Sequence, residues 1–150
     1  MTRVARPDEL GWVADTIAAS FRPYIARMGR APAPVTADHA AMIAAGEVHL
    51  LEEAGERLGL IVLRAAPDHL FVDIVAVASG AQRRGIGCAL MRFAEVEARR
   101  LGLPAVRLYT NAKMAEALSF YPALGYRQTD ARREDGFDRV YFEKRLDTKS

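Results

Sequence analysis

The stretch Val75-Ala-Val-Ala-Ser-Gly-Ala-Gln-Arg-Arg-Gly-Ile-Gly-Cys88 runs from an apolar strand, through a short basic turn, into a helix start. Its chemistry is that of an anion site. Gly85 and Gly87 let backbone come close to a ligand. The first N–H groups of a helix lack intrahelical acceptors, and the helix dipole adds positive potential where they point. Arg83 and Arg84 add full charges, so a pyrophosphate is the natural guest. The same pattern also fits a tight strand-to-helix connection whose glycines serve packing alone. Two nucleotide patterns fail here: no Gly-Lys-Ser/Thr makes a phosphate loop, and no third glycine completes a dinucleotide fingerprint.

Working outward, the chain alternates strands and helices. Thr2–Arg6 reads as a short strand. Pro7-Asp8 opens a helix carrying Leu10, Val13, Ile17 and Phe21 at helical spacing and stopping near Gly29. Ala31-Pro32-Ala33-Pro34 is a stiff connector, after which Thr36 is expected to cap a helix that Gly46 ends. Residues 47–53 and 57–64 form a hairpin around Ala54-Gly55-Glu56, and Phe71–Ala78 follows as a third strand. The last two of these are almost continuously apolar, as central strands covered on both faces are. Asp73 stands out in that run, because a carboxylate there needs a hydrogen bond, an ion partner or a wet cleft. Ile86, Ala89, Leu90, Phe93 and Val96 mark a strongly amphipathic helix closed by Gly102 and Pro104. A strand over 105–110, a helix from Met114 to about Leu124 and two strands around Asp135-Gly136 complete the chain. Hairpins at both ends with helical crossovers between them predict an α/β (α+β) fold. Its sheet is mixed, mainly antiparallel, with six or seven strands flanked by helices.

The chain has 150 residues, the size of a single domain. Its single cysteine, Cys88, cannot form an internal disulfide, and no apolar stretch approaches a bilayer span; the longest is Leu58–Leu63. The amino terminus shows no apolar signal region. A soluble cytoplasmic protein is the expectation, without a membrane partner. Twenty-one Lys and Arg against 19 Asp and Glu leave +2, with the basic pairs scattered, so nucleic acid is not an expected partner. His39, His49 and His69 have no ligand-like spacing to one another or to Cys88, and no metal is expected.

Gln82-Arg-Arg-Gly-Ile-Gly87 after an apolar strand resembles the Q/R-x-x-G-x-G/A motif of the GCN5-related N-acetyltransferases, the GNAT family. Leu108-Tyr-Thr-Asn111, followed by Met114, Glu116, Leu118 and Phe120-Tyr-Pro-Ala-Leu-Gly125-Tyr126, is similar to that family's later block. Val140-Tyr-Phe-Glu-Lys-Arg-Leu146 is similar to its final strand. The resemblance runs in order from about Glu47 onward. It implies transfer of the acetyl group of acetyl-coenzyme A (acetyl-CoA) to a primary amine of a small molecule or peptide, without a covalent acetyl-enzyme. It further implies that Val75, Ala76 and Val77 pair with the pantetheine arm, with a backbone N–H near Val77 holding the thioester carbonyl. Gln82, Arg83, Arg84, Gly85, Ile86, Gly87 and Cys88 would hold the pyrophosphate. Asn111 would contact the coenzyme arm or the opening between strands, and Tyr121 would sit at the sulfur. The family also suggests a homodimer.

Within that resemblance, Asp73 shares a strand face with Val75 and is placed to take the amine's proton through water. The alternative is a carboxylate satisfied by backbone or by an arginine. A phenol near pKa 10 facing a thiol near 8.5 makes complete proton transfer uphill by roughly 2 kcal/mol. Tyr121 therefore suits hydrogen bonding to the departing sulfur; a core tyrosine is the alternative. Pro122 removes a donor to the Leu118 carbonyl and is expected to kink its helix. Arg83 stands where the family often has glycine. The first helices usually line the acceptor side in this family, which makes Phe21, Tyr24 and Met28 acceptor candidates, with Arg22, Arg27 and Arg30 nearby. A non-catalytic acyl-CoA-binding module and a longer acyl donor are the rival readings.

Overall fold

Two-residue turns set both predicted hairpins. Ala54 and Gly55 have φ of 52° and 80°, and Asp135 and Gly136 have 52° and 81°, the left-handed pairs that match the twist of antiparallel strands. The computed structural model describes residues 1–82 and 84–146. Its strands are β1 (Thr2–Val4), β2 (Val48–Glu53), β3 (Glu56–Ala65), β4 (Leu70–Val77), β5 (Ala105–Asn111), β6 (Arg127–Glu134) and β7 (Phe137–Arg145). They form one seven-stranded sheet in the order β1-β2-β3-β4-β5-β7-β6. The β1–β2, β2–β3, β5–β7 and β6–β7 pairs are antiparallel, and β4–β5 is parallel over Leu70–Val72. The helices are α1 (Leu10–Met28), α2 (Ala33–Thr36), α3 (His39–Ala44), α4 (Ile86–Arg100) and α5 (Ala115–Ala123). This is the mainly antiparallel α/β fold that the pattern predicts.

The chain divides into two compact units, Met1–Arg64 with Asp73–Phe93 and Ala65–Val72 with Ala94–Ser150. In the first, Val13 and Ile17 of α1 and Ile43 of α3 pack with Val48, Leu50, Leu60, Val62 and Ile74. The start of this unit is held by one buried acid. Glu9, 2% exposed, accepts two bonds of 2.8 Å from Arg3, one of 2.9 Å from Arg57 and one of 2.9 Å from the Arg6 backbone N–H. Such partners are what make a buried carboxylate tolerable. The Arg3 hydrogen bonds hold its pKa down to about 2. In the second unit Tyr109 faces Tyr141 across β5–β7, ring centroids 5.4 Å apart, with the Arg139 guanidinium 4.5 Å from the Tyr109 centroid.

Three local expectations change. Asp38, not Thr36, caps α3, its Oδ1 accepting from the Ala41 N–H at 3.0 Å, while Thr36 ends the separate turn α2. Val96 is 55% exposed; Ile86 and Leu90 are buried as expected, and Met91, Ala94 and Ala98 complete the inner face of α4 in its place. Six successive residues of β3, Leu58–Leu63, are buried, as expected for a strand covered on both faces. On β4 burial alternates: Leu70, Val72, Ile74 and Ala76 are buried, and Phe71, Asp73, Val75 and Val77 only partly so. Asp73 thus lies on the wetter face, which is why an acid is tolerated in an apolar run.

Candidate functional site

In the first unit the end of β4 leads directly into the candidate turn. The Ala78 N–H donates to the Leu58 carbonyl at 2.9 Å, fixing the strand end, and a 3-10 turn over Ser79–Ala81 buries Ala81. Gln82 is extended and exposed, Arg84 is exposed, and Gly85 has φ of 74°, a left-handed value that favours glycine. Among the described residues nothing lies within 4 Å of where a Cβ on Gly85 would stand, so they leave the turn open on that side. Ile86 begins α4, and the Ala89 N–H makes a 3.0 Å bond to Gly85 O. The N–H groups of Ile86, Gly87 and Cys88 belong to the first turn, whose donors lack intrahelical acceptors and where the helix dipole is positive. Arg84 lies 3.8 Å from Glu56, a loose exposed pair that leaves its charge available. Open room, first-turn donors and an exposed cation together fit a pyrophosphate. Gly87 and Cys88 are half-buried, and Arg83 lies outside the described residues.

A residue that sequence reasoning passed over sets the height of this turn. A Cβ on Gly59 of β3 would stand 2.9 Å from the Ala76 carbonyl oxygen, 3.0 Å from Ile86 Cγ2 and 3.2 Å from Leu90 Cδ1. Only glycine lets the first turns of α4 settle this closely on the sheet beside β4. The signal was a lone glycine in an apolar strand, which marks close approach.

Asp73, also in this unit, is engaged by an arginine. Arg64 Nη2 donates to Asp73 Oδ2, and Arg64 Nε donates to Glu47 Oε1 at 3.3 Å. Two carboxylates therefore share one guanidinium, and the trio carries net negative charge. Farther along, Phe21 and Tyr24 of α1 lie 6.3 Å apart with Arg27 5.1 Å from the Tyr24 centroid, and Met28 is half-buried. All three acceptor candidates are half-buried, and Phe21 also packs against the core.

The second unit carries Asn111 and Tyr121. Asn111 ends β5, is buried, and its Oδ1 accepts from the Lys113 N–H at 2.9 Å, shaping the turn into α5. Tyr121 lies in the last turn of α5. The Tyr126 N–H bonds to Tyr121 O and the Gly125 N–H to Pro122 O, both at 3.0 Å, with Gly125 at φ 95°. This is a Schellman closure, completed by a 6.0 Å contact of the Tyr121 and Tyr126 rings. Phe142 at 5.9 Å and Phe120 at 5.0 Å flank the same ring. The helix runs through Pro122 to Ala123, so the lost donor falls in its final turn. Tyr126 is itself pinned: its hydroxyl donates to Glu95 at 3.0 Å, Lys144 reaches Glu95 at 3.1 Å and the Leu124 carbonyl at 2.9 Å, and burial pushes its pKa up.

Among the histidines, His39 is buried 2.7 Å from the Pro34 carbonyl, His69 meets Asp68 at 2.8 Å, and His49 packs on Phe93. Among the described residues no three potential ligands gather as a metal site would require. No helix among them is long and apolar enough to cross a membrane.

A strand, a glycine-containing turn and a helix on a mixed, mainly antiparallel sheet is the architecture of an acyltransferase. The profile of the Acetyltransferase (GNAT) domain matches residues 44–128, and the chain belongs to that family. No curated protein matches the sequence significantly. Among solved structures, the chain is similar to the PaiA N-acetyltransferase of Thermoplasma acidophilum in complex with coenzyme A: TM-score 0.79, 16% identity, covering 97% of this chain and 98% of that one. It is similar to Ard1 of Thermoplasma volcanium at TM-score 0.76 and 19% identity, covering 97% of each chain. The ribosomal-protein-S18-alanine N-acetyltransferase of Escherichia coli follows at TM-score 0.72 and 18% identity, covering 95% and 91%. At these identities the likeness is one of fold.

Proposed function

We propose that this chain moves the acetyl group of acetyl-CoA directly to a primary amine of a small molecule or peptide in a ternary complex. The observation that carries the reading is the turn from Gln82 to Cys88, which the described residues leave open over Gly85 and in which Arg84 is exposed at the head of α4. The coenzyme A held by the Thermoplasma acidophilum structure supports the choice of ligand. When bound, acetyl-CoA supplies a thioester as acyl donor. Backbone groups of Val75, Ala76 and Val77 line up the pantetheine arm, and an N–H near Val77 polarises the thioester carbonyl. Asn111 borders the arm. The amine nitrogen bonds to the acetyl carbon while the carbon–sulfur bond breaks, and Tyr121 hydrogen-bonds to the departing sulfur.

The amine's proton leaves through water by way of Asp73. An ordinary alkyl amine near 10.4 exceeds an ordinary aspartate near 3.9 by about 6.5 units, so Asp73 does not keep that proton; it passes it on to solvent. Phe21, Tyr24 and Met28 border the acceptor. The reading carries with it a cytoplasmic enzyme that needs no metal and acts on neither nucleic acid nor membrane.

The test is release of free thiol from acetyl-CoA against a panel of amino acid amides, polyamines and short peptides, with propionyl- and succinyl-CoA in parallel. Amine-dependent thiol release, fastest with acetyl-CoA, is expected. Tight binding of acetyl-CoA without thiol release from any amine would instead indicate a binding module.

A further inference from the structure

We infer that Arg64 is a positioning residue of the acetyl transfer: anchored by Glu47, it fixes the carboxylate of Asp73 on the face of β4 that carries Val75 and Val77. The inference rests on the reading of Asp73 as the group that handles the amine's proton. Its basis is geometric. Arg64 lies near the end of β3, Asp73 in β4, and Glu47 one residue before β2, and the three strands are neighbours in the sheet. The Leu63 N–H donates to the Glu47 carbonyl at 2.9 Å, which holds the Glu47 backbone beside Arg64. From there Glu47 takes Nε at 3.3 Å and Asp73 takes Nη2. A guanidinium is planar, so engaging one edge fixes where the other donors point.

Pairs this exposed add little stability (the Arg64 side chain is 40% exposed), so stability alone is a poor reason for the arrangement. It does two things for chemistry. Arg64 holds the Asp73 oxygens in one place, and two carboxylates on one guanidinium leave the trio a net negative charge that attracts an ammonium. Arg64 of β3 engages Asp73 directly, and Glu47 acts on it through that guanidinium.

The experiment is a carbon-13 NMR titration of aspartate-labelled full-length protein, with the Asp73 signal assigned by loss in Asp73→Asn. Arg64→Gln is expected to raise the Asp73 midpoint by about 1 unit or more, because the neighbouring cation is gone. Arg64→Lys, which retains the charge, is expected to restore most of that shift. Should Arg64→Gln fail to fold, Arg64→Met keeps the apolar stem and serves in its place. An Asp73 midpoint that stays at the wild-type value in the folded variant overturns the inference. The underlying reading fails separately, when Asp73→Asn leaves amine-dependent thiol release unchanged.

Discussion

Tyr121 shows what a residue's surroundings add to its identity. Its place in the motif was legible because Phe120-Tyr121 and Gly125-Tyr126 are close in sequence and local hydrogen bonds close the helix. The clamp behind it was not legible: Glu95 and Tyr126 are 31 positions apart, and Glu95 and Lys144 are 49. Tyr121→Phe is expected to lower turnover by about a hundredfold while leaving the acetyl-CoA Kd unchanged, measured by thiol release and calorimetry. Equal losses in both would make the tyrosine a packing residue. Glu9 illustrates the opposite role. Its folded pKa lies below its unfolded one, so its stabilisation is complete above about pH 4.5 and is lost as pH falls toward about 2. Glu9→Gln is expected to cost about 2 kcal/mol at neutral pH, where it weakens charged hydrogen bonds at a buried site. In denaturant titrations the variant should also lose the part of the acid dependence between those two values.

At the scale of elements, periodicity located strands and helices well, because apolar spacing and Gly-containing turns are local signals. It misjudged what depends on neighbours. Val96 fits the helical stripe of α4 yet is exposed, since the helix turns Met91 and Ala94 inward instead. Asp38 displaces Thr36 as a cap because the chain breaks into α2 and α3 between them. Gly59 is the sharpest case, because its role depends on a helix more than 25 residues away in sequence. Gly59→Ala is expected to destabilise the protein by about 1–3 kcal/mol, since the Ala76 carbonyl has to shift. It should also weaken acetyl-CoA binding, by lifting the first turn of α4. Calorimetric binding and thermal unfolding of the same variant check both effects; a stable protein with normal affinity would show that the close contact is unimportant.

For the molecule as a whole, fold class and family were legible because hairpins at both ends and two ordered motifs constrain the topology jointly. The acceptor was not, because recognition of one amine over another depends on side chains whose spacing follows no motif. Acetyl transfer requires that acetyl-CoA bind the folded chain, and binding to the folded state alone raises its melting temperature with ligand concentration. The most direct test is therefore an isothermal calorimetric titration of the purified protein with acetyl-CoA, alongside Arg84→Glu. One-to-one binding at micromolar concentration, weakened at least tenfold by the charge reversal, is predicted. Folded protein that takes up no acetyl-CoA, or a charge reversal without effect on affinity, would contradict the assignment of the turn after β4 as the coenzyme site.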